Sequence, residues 1–107
     1  NHQFSILKDQ KNSNIAWFGI PFILNSKDKK YKLNVMNKLN NKGVMTRPII
    51  SGNFANQPSI KLYKIKTGPK LHNADLIDKN AFFLGLHNTK ITTKKLNLLV
   101  KSIYSSL

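Results

Sequence analysis

Apolar residues are concentrated in three short runs that predict buried strands. Residues 15–24 (IAWFGIPFIL) are almost wholly apolar, and residues 44–50 and 81–86 have a similar character. Such runs, bounded by polar or glycine-containing turns, are typical of strands that face a core. Because Pro21 and Pro48 cannot donate to a strand ladder, each is expected where its strand lies at an edge, carries a bulge or ends.

Between these runs, apolar residues recur at helical spacing. The first stripe follows Ser26 and Asp28, both candidate N-caps, and its helix should end at Gly43, which can take the left-handed conformation. Short helices are expected near Pro58 and over residues 72–79. The last helix is capped by Thr92 or Thr93. The first stripe consists of Tyr31, Val35, Met36 and Leu39, and the last of Leu96, Leu99, Val100 and Ile103.

This order of elements predicts an α+β domain with a small three-stranded, mainly antiparallel sheet and helices packed on one face. Residues 1–14 are polar and are expected to form a linker or an edge segment, and residues 15–107 the domain itself. No apolar run approaches the ~20 residues that a membrane helix needs, and the first residues lack the layout of a signal peptide. A cytoplasmic protein is the expectation.

The formal net charge of +14 raises the possibility of an anionic partner such as nucleic acid. All but one of the 18 Lys and Arg residues are lysines, whereas guanidinium groups are the preferred bidentate readers of phosphates and bases. The aromatic residues fall in predicted buried strands and not in an exposed base-stacking pattern. The composition therefore argues against a nucleic-acid role and favours a solvated lysine surface.

Few residues could carry chemistry. The acids are four aspartates, and Asp75 and Asp78 should share the surface of one short helix. No cysteine is present, and the spacing of His2, His72 and His87 matches no metal motif. His87 follows a buried strand, where functional groups are often presented, although a lone His at such a position is more often structural. We therefore predict neither a metal site nor a catalytic residue in this chain.

Arg47 is the only arginine, and it lies near the end of a predicted strand, just before a Gly-Asn turn. The rigid, forked donor group of an arginine suits a carboxylate or a phosphate. The alternative is a surface arginine that pairs with one of the few acids. The residues alone leave both interpretations open.

Several of these segments resemble the small domain of the DegT/DnrJ/EryC1/StrS family of sugar aminotransferases and dehydratases. Residues 17–21 (WFGIP) resemble the family's WFGFP strand, and residues 43–48 (GVMTRP) its G-I-x-T-R-P strand. Residues 52–58 continue the narrower RP-x-x-x-GN-x-x-x-QP pattern of the nucleotide-sugar 3-dehydratase branch. Residues 83–87 resemble a late strand that ends in His, although Leu86 stands where a polar residue would be expected. The resemblance spans residues 15–107.

The resemblance implies the C-terminal small domain of a fold-type-I enzyme that uses pyridoxal phosphate or pyridoxamine phosphate. The cofactor would be held mainly by a large domain that this chain lacks, so the isolated chain is expected to be inactive. The parent would be a nucleotide-sugar 4-keto-6-deoxyhexose 3-dehydratase of deoxysugar or lipopolysaccharide O-antigen biosynthesis, acting as a homodimer on a nucleotide-linked sugar and glutamate. Arg47 would bind glutamate's carboxylate, and Asn53 and His87 would flank the sugar.

Apart from a structural or regulatory subunit derived from the enzyme domain, two other functions remain open from the sequence. One is a sugar aminotransferase of the same family, since the residue that decides between the two reactions would lie in the large domain. The other is a free-standing lysine-rich module that binds an anion or nucleic acid, whose affinity would fall steeply with salt.

Overall fold

A computed structural model describes residues 3–28 and 30–107. These residues form four strands, four α-helices and a single 3₁₀ turn at Phe54–Asn56. His2, one of the three histidines considered above, lies outside the described residues. The strands are β1 (Phe4–Ile6), β2 (Gly19–Leu24), β3 (Thr46–Pro48) and β4 (Ala81–Gly85), and the helices are α1 (Tyr31–Asn41), α2 (Pro58–Leu62), α3 (His72–Asn80) and α4 (Thr93–Tyr104).

The strands form one antiparallel sheet in the order β1-β2-β4-β3. The α+β class is confirmed, but the sheet has four strands and not three. The additional strand, β1, lies within residues 1–14 and pairs with the end of β2. Its Phe4 ring lies 5.3 Å from the ring of Phe22 and 6.0 Å from that of Tyr104. A strand of three residues with one aromatic anchor is too short to show an alternating pattern that could be recognised in the sequence.

β2, the strand that contains Pro21, is an interior strand of the sheet, flanked by β1 on one side and β4 on the other. The expectation of an edge at Pro21 is nevertheless confirmed locally. The ladder with β1 reaches only as far as Phe22, whereas β4 pairs with β2 from Gly19 to Ile23. At Pro21 only one flank is paired, which is where a residue without an N–H is tolerated.

One face of the sheet forms the core. Side chains at opposed positions, such as Phe22 and Phe82, project together and their rings stack at 5.5 Å. Helix α1 covers this face with Val35 and Leu39, and α4 contributes the buried Ile103. The cluster of buried residues consists of Phe22, Leu24, Val35, Leu39, Phe82, Leu84 and Ile103.

The C-terminal end of α1 confirms the sequence prediction, whereas the prediction for its start was wrong: Lys30 is the N-cap, without a side-chain cap bond, and neither Ser26 nor Asp28 occupies that position. The N–H of Gly43, at φ +78°, donates to the carbonyl of Asn40, and the N–H of Val44 donates to that of Leu39. This pair of bonds is the Schellman motif, which satisfies the last carbonyls of a helix. At the other end, Asp28 Oδ1 accepts from the N–H of Lys30, one residue before the helix begins.

Helix α4 is anchored mainly at its C-terminal end. Thr92 caps its start as predicted, accepting from the N–H of Lys95. Of the expected apolar stripe, Ile103 is buried and Leu99 half-buried, whereas Leu96 and Val100 are 49% and 44% exposed. Within the first two turns of the helix, Leu99 is therefore the residue that packs against the core. None of the helices in the described residues has the length and apolar character needed to cross a bilayer.

Candidate functional site

Arg47 lies on the open face of the sheet. It is in the edge strand β3, directly opposite Phe83 of β4, and opposed residues of an antiparallel pair project to the same face. That face is the one not covered by α1, since Phe82 and Leu84 project into the core. The Arg47 side chain is exposed and has no hydrogen bond to any residue that the structure describes. Its five donors are available to a ligand.

An apolar cavity of about 300 Å³ lies on the same face. Its floor includes Phe83, whose ring lies 5.6 Å from that of the 75%-exposed Phe18. The Trp17 indole N–H donates to Asp9 Oδ1 at 2.6 Å, which fixes the indole in place. The cavity is lined by Trp17, Phe18, Gly19, Pro21, Ile49, Ile50 and Phe83. Arg47 therefore shares its sheet face with an apolar surface, an arrangement suited to a ligand that carries both an anionic and an apolar part.

Asn53 occupies a different part of the molecule and is only 3% exposed. Its Oδ1 accepts from the N–H of Ala55, which starts the 3₁₀ turn, and its Nδ2 donates to Asp75 Oδ1 at 2.7 Å. Asn56 Nδ2 donates to the same Asp75 oxygen at 3.0 Å. Both polar ends of Asn53 therefore have partners within the chain. Its observed role is to connect the turn after β3 to the first turn of α3.

Gly52 makes this connection sterically possible. It has φ +49°, and a Cβ at this position would lie 2.7 Å from both Cα and Cβ of Asp78. Only glycine combines that left-handed backbone with so close an approach to a helix. The Gly-Asn pair thus packs the loop directly against α3, with Gly52 on Asp78 and Asn53 on Asp75.

A second cavity, of about 390 Å³, is bounded by this loop, by α2 and by the segment that leads into α3. Its polar groups include Asp75, Asn56 and Lys70, and its apolar walls include Phe54 and the buried Ile60. The lining residues are 53–56, Ile60, residues 67–71 and Asp75. We call it the Asp75 cavity below.

The hydrogen bonds from Asn53 and then Asn56 hold the pKa of Asp75 below its ordinary value of 3.8, against a smaller opposing effect of burial. The positive charges of Lys79 and Lys70 act in the same direction as the amides. Asp75 is therefore fully ionised at neutral pH and can only accept hydrogen bonds.

The sheet does not bring Arg47, Asn53 and His87 to one point. His87 is exposed and follows the last residue of β4, where the N–H of Leu86 donates to the carbonyl of Phe18. Arg47 is opposite Phe83, four residues earlier on that strand, which corresponds to about 13 Å at the usual rise per residue. Asn53 lies near the opposite end of β4, against α3. Their roles as a substrate-binding set stay a prediction.

Sequence reasoning missed Asp75 and Asn56. Asp75 was expected to be a solvated helix residue, but it is half-buried and accepts from two amides. No periodic signal could have revealed this pairing, because the partners lie about twenty residues apart in segments without regular spacing. Within residues 3–28 and 30–107, no group of three or more His, Cys, Asp or Glu side chains could hold a metal ion.

The fold and these surfaces define a class of protein: a small two-layer α+β domain that offers an unpaired arginine on an open sheet face. The particular proteins that it resembles are GDP-4-keto-6-deoxy-D-mannose 3-dehydratases. The chain is 30% identical over 83 residues to the enzyme of Escherichia coli O55:H7 and 29% identical over 90 residues to that of Yersinia pseudotuberculosis. These alignments cover 77% and 83% of this chain. No protein-family model matches the chain.

Solved structures of the same enzyme have the same fold. A mutant GDP-4-keto-6-deoxymannose-3-dehydratase with bound GDP-perosamine superposes on 94% of this chain with a TM-score of 0.76 and 25% identity. The E. coli enzyme with bound hydrated PLP covers 96% with a TM-score of 0.76 and 26% identity, and a form with a trapped PLP-glutamate geminal diamine has a TM-score of 0.74. The resemblance to nucleotide-sugar 3-dehydratases predicted from the motifs is thereby confirmed in sequence and in fold.

The chain spans about a quarter of the length of these relatives, 21% and 23% of the two enzymes and 26% of the structures. The similarity therefore concerns about a quarter of each of these longer enzymes.

Proposed function

We propose that this chain is the C-terminal small domain of a PLP- or PMP-dependent nucleotide-sugar 3-dehydratase. The proposal rests on one observation: the sequence relatives and the solved structures are the same enzyme, and nearly the whole chain superposes on about a quarter of that enzyme. The parent would remove the 3-hydroxyl of a GDP-linked 4-keto-6-deoxyhexose and use glutamate as amino donor. Its action as a cytoplasmic homodimer in deoxysugar or lipopolysaccharide biosynthesis is part of this proposal.

The two cavities described above do not suit the cofactor. The cavity that shares a sheet face with Arg47 has an almost wholly apolar lining, which gives a phosphate no donor. The Asp75 cavity contains an ionised carboxylate, which would repel the phosphate. We therefore assign the cofactor to the remainder of the longer protein. This domain would cover the active site from one side.

Arg47 is proposed to bind the carboxylate of glutamate. It lies on a rigid sheet edge, its donors are unpaired, and no acid among the described residues neutralises it. A bidentate pair with a carboxylate requires the planar fork of arginine, which a lysine cannot supply. His87 and Asn53 are proposed to lie towards the sugar, with Asn53 acting through the loop that it holds.

The test is the half-reaction with glutamate, measured spectrophotometrically on the longer protein that carries this domain. Arg47→Lys keeps the charge but loses the fork, and the loss of a charge-assisted hydrogen bond, about 1.5–3 kcal/mol, should weaken glutamate binding by about tenfold or more. Arg47→Gln should weaken it further. Because Arg47 is exposed and unpaired, neither variant should lower the melting temperature. Unchanged glutamate affinity in both variants would refute the assignment of Arg47.

The activity itself is tested separately. Wild-type longer protein should consume a GDP-linked 4-keto-6-deoxyhexose only when it is loaded with cofactor and supplied with glutamate. Transfer of an amino group to the sugar, with retention of the 3-hydroxyl, would show instead an aminotransferase. Absence of both reactions would refute the enzyme proposal.

A further inference from the structure

The Asp75 cavity has the features of a site for a neutral, donor-rich group attached to an anion. The proposal that follows rests on the proposed function, because it takes from the relatives only that their substrate is a GDP-sugar. We propose that the Asp75 cavity binds the guanine base of the nucleotide, with the Asp75 carboxylate accepting from the base and Lys70 near the diphosphate.

Only one oxygen of the Asp75 carboxylate is occupied. Oδ1 accepts from Asn53 at 2.7 Å and from Asn56 at 3.0 Å, and a carboxylate oxygen has about two acceptor positions. Within residues 3–28 and 30–107, Oδ2 has no hydrogen-bond partner and retains both of its acceptor positions. Because Asn53 is 97% buried and also bound to the N–H of Ala55, it holds the carboxylate in one orientation. The cavity therefore presents a fixed, unsatisfied, ionised acceptor.

Guanine is the common base whose Watson–Crick edge best complements such an acceptor. It carries an N1–H next to its N2 amine, so two adjacent donors can converge on Oδ2, which retains both of its acceptor positions. Adenine places the acceptor nitrogen N1 next to its single donor group, the N6 amine, and uracil flanks its single N–H with two carbonyls. Each of these would bring a lone pair towards the carboxylate, and that repulsion is the basis for selection.

The remaining walls of the cavity suit a base and a phosphate. Phe54 is 61% exposed and can stack against a purine ring, while the buried Ile60 closes the apolar side. Lys70 lies on the lining and close enough to Asp75 to lower its pKa. The volume of about 390 Å³ is sufficient for a base and part of its ribose. In a chain of net charge +14, an anionic ligand approaches favourably.

The probe is the nucleotide alone, added to the isotope-labelled 107-residue chain and followed by NMR. GDP should shift the side-chain amide signals of Asn53 and Asn56 and the backbone signals of residues 67–71. IDP lacks the N2 amine and should bind about tenfold more weakly, which corresponds to one charge-assisted hydrogen bond. ADP should bind more weakly still. 2′-Deoxy-GDP should match GDP, whereas weaker binding of this analogue alone would show that Asp75 contacts the ribose and would overturn the assignment to the base.

A specificity switch provides the sharper test. In Asp75→Asn the side-chain oxygen is still needed by the two amide donors, so the new NH₂ group faces the cavity. XDP carries a carbonyl in place of the guanine amine and should bind this variant about tenfold more tightly than GDP does, reversing the wild-type order. As a control, Asp28→Asn removes the same charge at a distant helix start and should leave the wild-type order of nucleotide affinities unchanged. A merely structural role of Asp75 would weaken all nucleotides alike.

The outcomes separate this inference from the proposed function. If GDP produces no shifts at the cavity, or if Asp75→Asn leaves the preference for GDP over IDP and XDP unchanged, the inference is wrong even when the longer protein dehydrates its sugar. If the base preference behaves as predicted but neither the dehydration nor the glutamate half-reaction occurs, the cavity is a guanine site and the proposed function is wrong. A Phe54→Ala variant gives a second check, since loss of stacking should weaken GDP and IDP equally.

Discussion

Three glycine-to-alanine substitutions separate the two constraints that act on Gly52. Gly52 has both a left-handed backbone and the backbone and side chain of Asp78 at 2.7 Å from its missing Cβ, whereas Gly43 has φ +78° with no atom within 4 Å. Gly68 has neither constraint. Because the left-handed conformation costs an alanine roughly 1–2 kcal/mol, Gly43→Ala should lower the free energy of unfolding by about 1 kcal/mol.

Gly52→Ala should cost more. The added methyl group has to displace α3 or the loop, and forcing one extra carbon into a packed contact costs about 1–3 kcal/mol. Together with the backbone term, the expected loss is about 2–4 kcal/mol, a large part of the total stability of a domain of this size. Gly68→Ala should change the free energy of unfolding by less than about 1 kcal/mol.

The measurement is urea unfolding of the 107-residue chain, followed by circular dichroism, with the slope of the transition compared among the variants. Equal slopes would show that the change lies in the native state. If Gly52→Ala is no more destabilising than Gly43→Ala, the close approach to Asp78 is absent in solution. The connection between the loop and α3 would then have to be made by Asn53 alone.

Three further predictions concern the core, the dependence of stability on acidic pH and the strand β1. Leu39→Ala, at a fully buried position, should cost about 2–5 kcal/mol in urea unfolding, whereas Leu33→Ala, 59% exposed, should stay within about 1 kcal/mol. Because the folded pKa of Asp75 is lowered, its contribution to stability is present above its unfolded pKa near 3.9 and is lost as pH falls through the folded pKa. The difference in unfolding free energy between wild type and Asp75→Asn should therefore shrink below about pH 4. A constant difference from about pH 6 to about pH 2 would contradict this. Phe4→Ala removes two ring contacts and should cost about 1–3 kcal/mol, and an unchanged unfolding midpoint would show that β1 does not contribute.

The sequence predicted the elements of the fold better than their arrangement. Tyr31, Val35 and Leu39 identified α1, and Gly43 identified its end, because these signals are local to one helix. The interior position of β2 could not be predicted from Pro21, since the ladder of β1 stops one residue short of it. The exposed half of the apolar stripe of α4 was also missed, because a stripe indicates which side of a helix is apolar but not whether anything covers it.

The candidate site was predictable only in part, for a related reason. Arg47 could be singled out because it is the only arginine and precedes a Gly-Asn turn, and the structure places it on an open face as an unpaired donor. Asn53 was singled out as a ligand residue, but its polar atoms are directed to Ala55 and Asp75. Its effect on any ligand passes through Asp75, and that pairing depends on tertiary contacts that no spacing encodes.

The order of strands in the sheet has a consequence for how the chain folds. β2 has no partner on its β4 side until residues 81–85 are available, since Phe22 pairs with Phe82. During synthesis, β1 and β2 can form only a short hairpin with a long connecting loop, and such two-stranded ribbons are marginal in water. The central ladder therefore forms late, by closure of a long intervening segment, which slows folding. Until then the apolar stretch around Trp17 and Phe22 lacks its main partner, β4. We expect a chaperone to bind this segment in competition with β4.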